Sequence, residues 1–192
     1  MDTFVLIYIG VIILFLILIF FDNKKKDMEY IKSDVDKKEY LVRKLPDREE
    51  AANLLAQTRE KLLELREYLE GKYPDDERVK RLSRFHNTII VESQPKSKFT
   101  SFSVNKGEKI VFCLRSRNSD EKLVNLNLLM FVALHELAHV ITKSVGHTEE
   151  FWDNFKWILV QAVKIKIYKP HDFQKKPEEY CGTQITDSPL QD

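Results

Sequence analysis

Seven consecutive apolar residues, Leu128–Leu134, run directly into His135-Glu136-Leu137-Ala138-His139, and Val140 and Ile141 continue the apolar character. The pattern predicts a helix over Leu123–Lys143, apolar on nearly every face. Such a helix is central and buried. Two histidines and a carboxylate are poor passengers there, because burying them without partners costs several kcal/mol. Histidines at i and i+4 project from one face, a turn apart, close enough for both imidazoles to bind one zinc ion. Glu136 is rotated about 100° from His135, outside the ligand set but within reach of a water held by the metal. The spacing H-E-x-x-H with these roles is the zincin motif, in which the glutamate is the general base of a zinc metallopeptidase. The expected activity is therefore zinc-dependent endopeptidase cleavage by zinc-activated water, with Glu136 as the base.

A catalytic zinc needs a third protein ligand and an open position. His147 follows eight residues after His139, just past Gly146, which permits the chain to reverse. The spacing H-E-x-x-H-x-x-G-x-x-H would need histidine where Val145 stands, so that pattern is excluded. His147 is the first choice as third ligand; Glu149, Glu150 and Asp153 are alternatives. A donor to the developing oxyanion is also required. Tyr168, His171 and Tyr180 are candidates, and the sequence does not choose among them.

His135–His139 together with Gly146-His147-Thr148-Glu149-Glu150-Phe151-Trp152 resembles the minimal zincins of the SprT and WLM type over roughly residues 85–168. The resemblance implies that His147 completes the zinc site and that Phe151-Trp152 packs the following helix behind the metal helix. It also implies a cleft strand before the metal helix, for which Lys109–Arg115 is the candidate. SprT and WLM relatives are linked to cleavage of DNA–protein crosslinks. The layout is also similar to uncharacterised membrane-anchored metallopeptidases of large DNA viruses.

The remaining chain predicts an α+β fold with a short three-stranded sheet. A helix starts at Pro46, with Asp47 and Glu50 as a capping-box-like pair, and its apolar stripe Ala51, Leu55, Leu62, Leu65 and Leu69 runs to Gly71. Asp75–Phe85 reads as a second, shorter helix. Thr88–Glu92, Phe99–Val104 and Lys109–Arg115 read as strands, the last two joined by a turn at Asn105–Glu108. Thr148 caps a final helix that Pro170 closes.

Phe4–Phe21 holds 17 apolar residues and one glycine without a charge, followed by Lys24-Lys25-Lys26. Eighteen helical residues span about 27 Å, which predicts a membrane anchor. The basic flank predicts a single-pass protein with its C-terminal domain facing the cytosol, on a viral or host internal membrane. Two cysteines cannot form a disulfide framework, and as free thiols they suit a reducing compartment; a single disulfide is the alternative if the orientation is reversed. The divisions expected are 1–22 anchor, 23–45 charged juxtamembrane linker, 46–85 helical part, 86–170 zincin core and 171–192 tail. The partners expected are the lipid bilayer through residues 4–21 and a protein or peptide substrate near it. A net charge of +1 carries no strong nucleic-acid signal. Two other readings stand beside the peptidase: a catalytically silent zinc scaffold recruiting a partner through the Asp47–Glu70 helix, and a DNA-associated SprT/WLM-like protease.

Overall fold

A computed structural model describes residues 3–118 and 120–191, with side chains except those of residues 3, 4, 18–26, 84 and 86. The chain opens with helix α1 (Thr3–Lys26), whose apolar side chains from Val5 to Ile17 are exposed. Among the described residues, no helix is long and apolar enough to cross a membrane. The expected transmembrane anchor over residues 4–21 is corrected on this finding. The single-pass localisation, the cytosol-facing topology and the bilayer partner fall with it. The side chains of residues 18–21 lie outside the described residues.

Residues expected as a charged linker instead form a hairpin, β1 (Met28–Lys32) and β2 (Glu39–Arg43), paired antiparallel from Met28↔Arg43 to Lys32↔Glu39. Alternation in β2 turns Tyr40 and Val42 into the core and leaves the charged residues outside. Helix α2 (Arg48–Lys72) buries the predicted stripe of Ala51, Leu55, Leu62, Leu65 and Leu69. Asp47 precedes it but makes no side-chain cap. Its carboxylate accepts a 2.6 Å bond from Arg115 Nη1 instead. Helix α3 (Glu77–Leu82) is capped by Asp76, which accepts from the Arg78 amide. A 3₁₀ segment (Ser83–Asn87) leads into the sheet.

The sheet contains β3 (Ile89–Glu92), β4 (Ser101–Val104) and β5 (Lys109–Phe112) in the order β3-β5-β4. β4 and β5 are antiparallel, while β3 and β5 are parallel. The connecting turn places Asn105, Lys106 and Gly107 at positive φ, with Gly107 against Val140: a Cβ there would lie 2.9 Å from Val140 Cγ2. Helix α4 (Leu126–Ile141) runs through the centre, touching α2, α3, β4 and the next helix. Its position follows from its composition, since nearly every side chain from Leu128 to Ile141 is apolar and buried. Helix α5 (Glu149–Lys164) packs on it through Phe151, Phe155, Ile158 and Leu159. A second hairpin, β6 (Glu178–Tyr180) and β7 (Thr183–Ile185), closes the chain. The fold class is therefore mixed α/β with three small sheets among the described residues, and the expected class is corrected by removing its transmembrane helix.

One difference from expectation concerns the cysteines. Cys113 and Cys181 are joined as a disulfide across 68 residues. The reading of two free thiols is replaced by its alternative.

Candidate metal centre

The last turns of α4 carry His135 and His139 on one face, and the loop from Thr142 to Thr148 returns His147 toward them. The loop is held at both ends. Lys106 Nζ donates to the carbonyls of Thr142 (2.9 Å) and Ser144 (3.0 Å) and approaches that of His139. Arg81 Nε donates to the Ile141 carbonyl at 2.6 Å. Two cations thus satisfy carbonyls that the end of a helix leaves open. Glu150 accepts from the amides of Lys143 and Ser144 and from Ser144 Oγ. These bonds hold its carboxyl down at about 2. Asn154 of α5 donates to Thr142 Oγ1.

One ligand nitrogen from each of His135, His139 and His147 lies within 4.8 Å of the other two. Among the described residues, this is the one such cluster of histidine, cysteine or carboxylate groups. The Nε2 atoms of His135 and His147 are 3.1 Å apart. Two nitrogens bound to one tetrahedral zinc would sit about 3.3 Å apart, so the spacing fits that ion. Burial, with the neighbouring imidazoles adding to it, pushes His135 down to about 3 and His139 down to about 4. Both are therefore neutral near pH 7, the form that ligates a metal. Phe151 stacks on the His139 ring and meets the edges of His135 and His147.

Glu136 is only 4% exposed and accepts a backbone hydrogen bond from Ser103. Burial drives its carboxyl up to about 7. It shares a cavity of about 1090 Å³ with the three histidines. β4 forms one wall, Val145 and Trp152 lie on another side, and Tyr180 with residues 183–189 completes it.

Of the three candidate oxyanion donors, Tyr180 alone lines this cavity. Its hydroxyl is 2.7 Å from Ser101 Oγ, and burial holds it protonated. Tyr168 is buried against Phe131 away from the cleft, and His171 bonds the Lys176 carbonyl. Glu149 and Asp153 do not join the histidine cluster, and Glu150 is engaged by the loop. The strand lining the cavity is β4, the terminal strand of its sheet, whose Ser103 amide is bonded to Glu136; the expected strand within Lys109–Arg115 lies in the middle of the sheet. Missing from the sequence reading were Lys106, Arg81 and the whole β6–β7 wall. Only the last left a local trace, a Cys-Gly pair between two short polar runs.

Residues 76–191 match the WLM domain. A protein of Acanthamoeba polyphaga mimivirus, Uncharacterized protein R325, is 39% identical over 99% of this chain and all of its own length. Uncharacterized protein 136R of Invertebrate iridescent virus 6 is 35% identical, over 52% of this chain and 56% of its own. The crystal structure of a Wss1 mutant from Saccharomyces cerevisiae superposes with a TM-score of 0.50 at 22% identity, covering 65% of this chain and 86% of that one. This last likeness concerns the fold.

Proposed function

The chain belongs to the WLM family, within the SprT/WLM-like metallopeptidases, and from that premise we propose that it is a zinc-dependent endopeptidase acting on extended stretches of protein. The observation that carries this reading is the convergence of His135, His139 and His147 beside a buried Glu136 in one open cavity. The three imidazoles would hold the ion. Zinc bound there would supply Lewis acidity and make water nucleophilic at neutral pH.

The chain's own groups account for the rest. Glu136 takes the proton of the attacking water on its carboxylate and passes it to the leaving amine. Its burial favours the protonated form, which suits the second half of that transfer. Tyr180 donates its hydroxyl to the carbonyl oxygen as negative charge develops there. The outer edge of β4 offers its remaining main-chain groups to an extended substrate, which gives binding with little sequence choice. Phe102, Val145, Trp152 and Ile185 line the cleft and favour apolar side chains near the scissile bond.

The presence of Glu136 in the cavity speaks against a silent scaffold, which would need only the histidines. A net charge of +1 offers no electrostatic footprint for a DNA-directed reading. The test pairs two variants of the full chain. His147→Ala should lose bound zinc by elemental analysis. Glu136→Gln should retain zinc and lose cleavage of a quenched fluorescent peptide by at least about 100-fold. Full zinc binding by His147→Ala would remove His147 from the ligand set. Equal cleavage by wild type and Glu136→Gln would overturn the mechanism.

A further inference from the structure

Cys181 occupies an uncommon place for a cysteine. With Gly182 it forms the two-residue turn between β6 and β7, and both have positive φ, 52° and 81°. Such turns are normally filled by glycine, asparagine or aspartate. A cysteine contributes nothing to that backbone shape, so its sulfur is the distinguishing feature. That sulfur is bonded to Cys113, the residue directly after β5.

Apart from that bond, the hairpin is held by the packing of Tyr180 and Cys181 in the core, with Ile185 against it, and by a few polar contacts. Among the described residues, β6 and β7 pair only with each other. Tyr180 reaches Ser101, Asn125 reaches Glu178 at 3.5 Å, and the Arg117 side chain lies over Gly182. Yet this hairpin supplies one wall of the cleft, and Tyr180 is the immediate neighbour of Cys181. The one covalent bond on the hairpin therefore sits beside the one candidate oxyanion donor in the cavity.

We propose that the Cys113–Cys181 bond is a redox-controlled tie that positions Tyr180 and the β7 wall. Closed, it holds them against the cleft; opened by a thiol reductant, it lets the wall move away and slows cleavage while the three histidines keep their metal. The inference rests on the peptidase reading. In the opening step a reductant thiolate attacks one cysteine sulfur and forms a mixed disulfide, and the other cysteine leaves as a thiolate that takes up a proton. A second reductant thiolate resolves the mixed disulfide. Two protein thiols and one reductant disulfide result, so two electrons and two protons have entered the protein. Both cysteines are buried, so the hairpin must lift before attack. The histidines belong to α4 and the loop before α5, elements that contain neither cysteine.

The test uses the full zinc-loaded chain, oxidised or treated with reduced glutathione, beside Cys113→Ala/Cys181→Ala under identical conditions. Thiol titration should find no free thiol in the oxidised chain and two after treatment. On reduction kcat should fall by about tenfold with zinc content unchanged, and reoxidation should restore it. The double variant should match the reduced form and ignore glutathione. In Tyr180→Phe, kcat should already be low, and reduction should change it by less than roughly twofold. Loss of structure alone would lower both backgrounds alike. An unchanged kcat after full reduction, zinc release on reduction, or an equal fall in Tyr180→Phe would each overturn the proposal. If the oxidised, zinc-loaded chain cleaves nothing, the peptidase reading fails by itself. Hydrogen exchange then decides the tie: reduction should speed exchange over residues 174–191 and spare 126–164, and an unchanged pattern would overturn it.

Discussion

At the scale of single residues, a few polar groups set the geometry around the histidines. Glu150 was a candidate ligand by sequence, and its position explains why it has another role. It sits in the first turn of α5, where it accepts from three donors of the preceding loop. Those bonds are made to the ionised form, so its pKa in the folded protein lies below the unfolded value of about 4.3. A depressed carboxylate stabilises the fold above its unfolded pKa and loses that contribution as pH falls toward the folded one. Glu150→Gln should therefore be less stable than wild type at pH 7, and the gap should narrow between about pH 4.5 and 2 in thermal melts. A gap independent of pH would show that charge is irrelevant there. Gly107 is the second such position. Gly107→Ala puts a methyl against Val140 at a positive φ and should cost about 1–3 kcal/mol in denaturant unfolding. The histidines and Glu136 were legible in sequence because their spacing is local to one helix. Lys106 and Arg81 were not, because each meets the α4 terminus from 33 or more residues away.

Among the elements, legibility followed the length of the repeat. α2, α4 and α5 carry apolar stripes several turns long, and the β4–β5 turn lies between two clear alternations. β1–β2 hides its pattern because only Tyr40 and Val42 are fully buried in a stretch dense with charge. The central place of β5 depends on its parallel pairing with β3 across 20 residues, which no local pattern reports. The same strand ends near Arg115, a buried guanidinium that bonds Glu92 Oε1 at 2.9 Å and Asp47 Oδ2 at 2.6 Å. Glu92 also accepts from the Arg43 amide. This network joins β2, β3 and the start of α2, and explains why Asp47 is drawn away from capping. Arg115→Ala would leave Glu92 buried without its partner and should destabilise by about 3–5 kcal/mol. Arg115→Met with Glu92→Leu should recover part of that loss in the same unfolding measurement, since an apolar pair removes the stranded charge.

For the molecule as a whole, metal and fold should be linked. The three ligand residues come from α4 and from the loop that precedes α5, so an ion bound by all three favours the folded chain over the unfolded one. Free zinc at 100 times its Kd should add about 2.7 kcal/mol of stability. For a chain of this size that raises Tm by on the order of 5–10 °C, and a chelator should reverse it. His147→Ala should show a much smaller shift at the same zinc concentration. The covalent plan of the chain has a separate consequence. His135, Glu136, His139 and His147 all fall between Cys113 and Cys181, inside a ring closed by one bond. A single peptide-bond cut anywhere within that ring, by this protein or another protease, leaves the two fragments joined. A nicked molecule would run near full length on a non-reducing gel and as two bands on a reducing one.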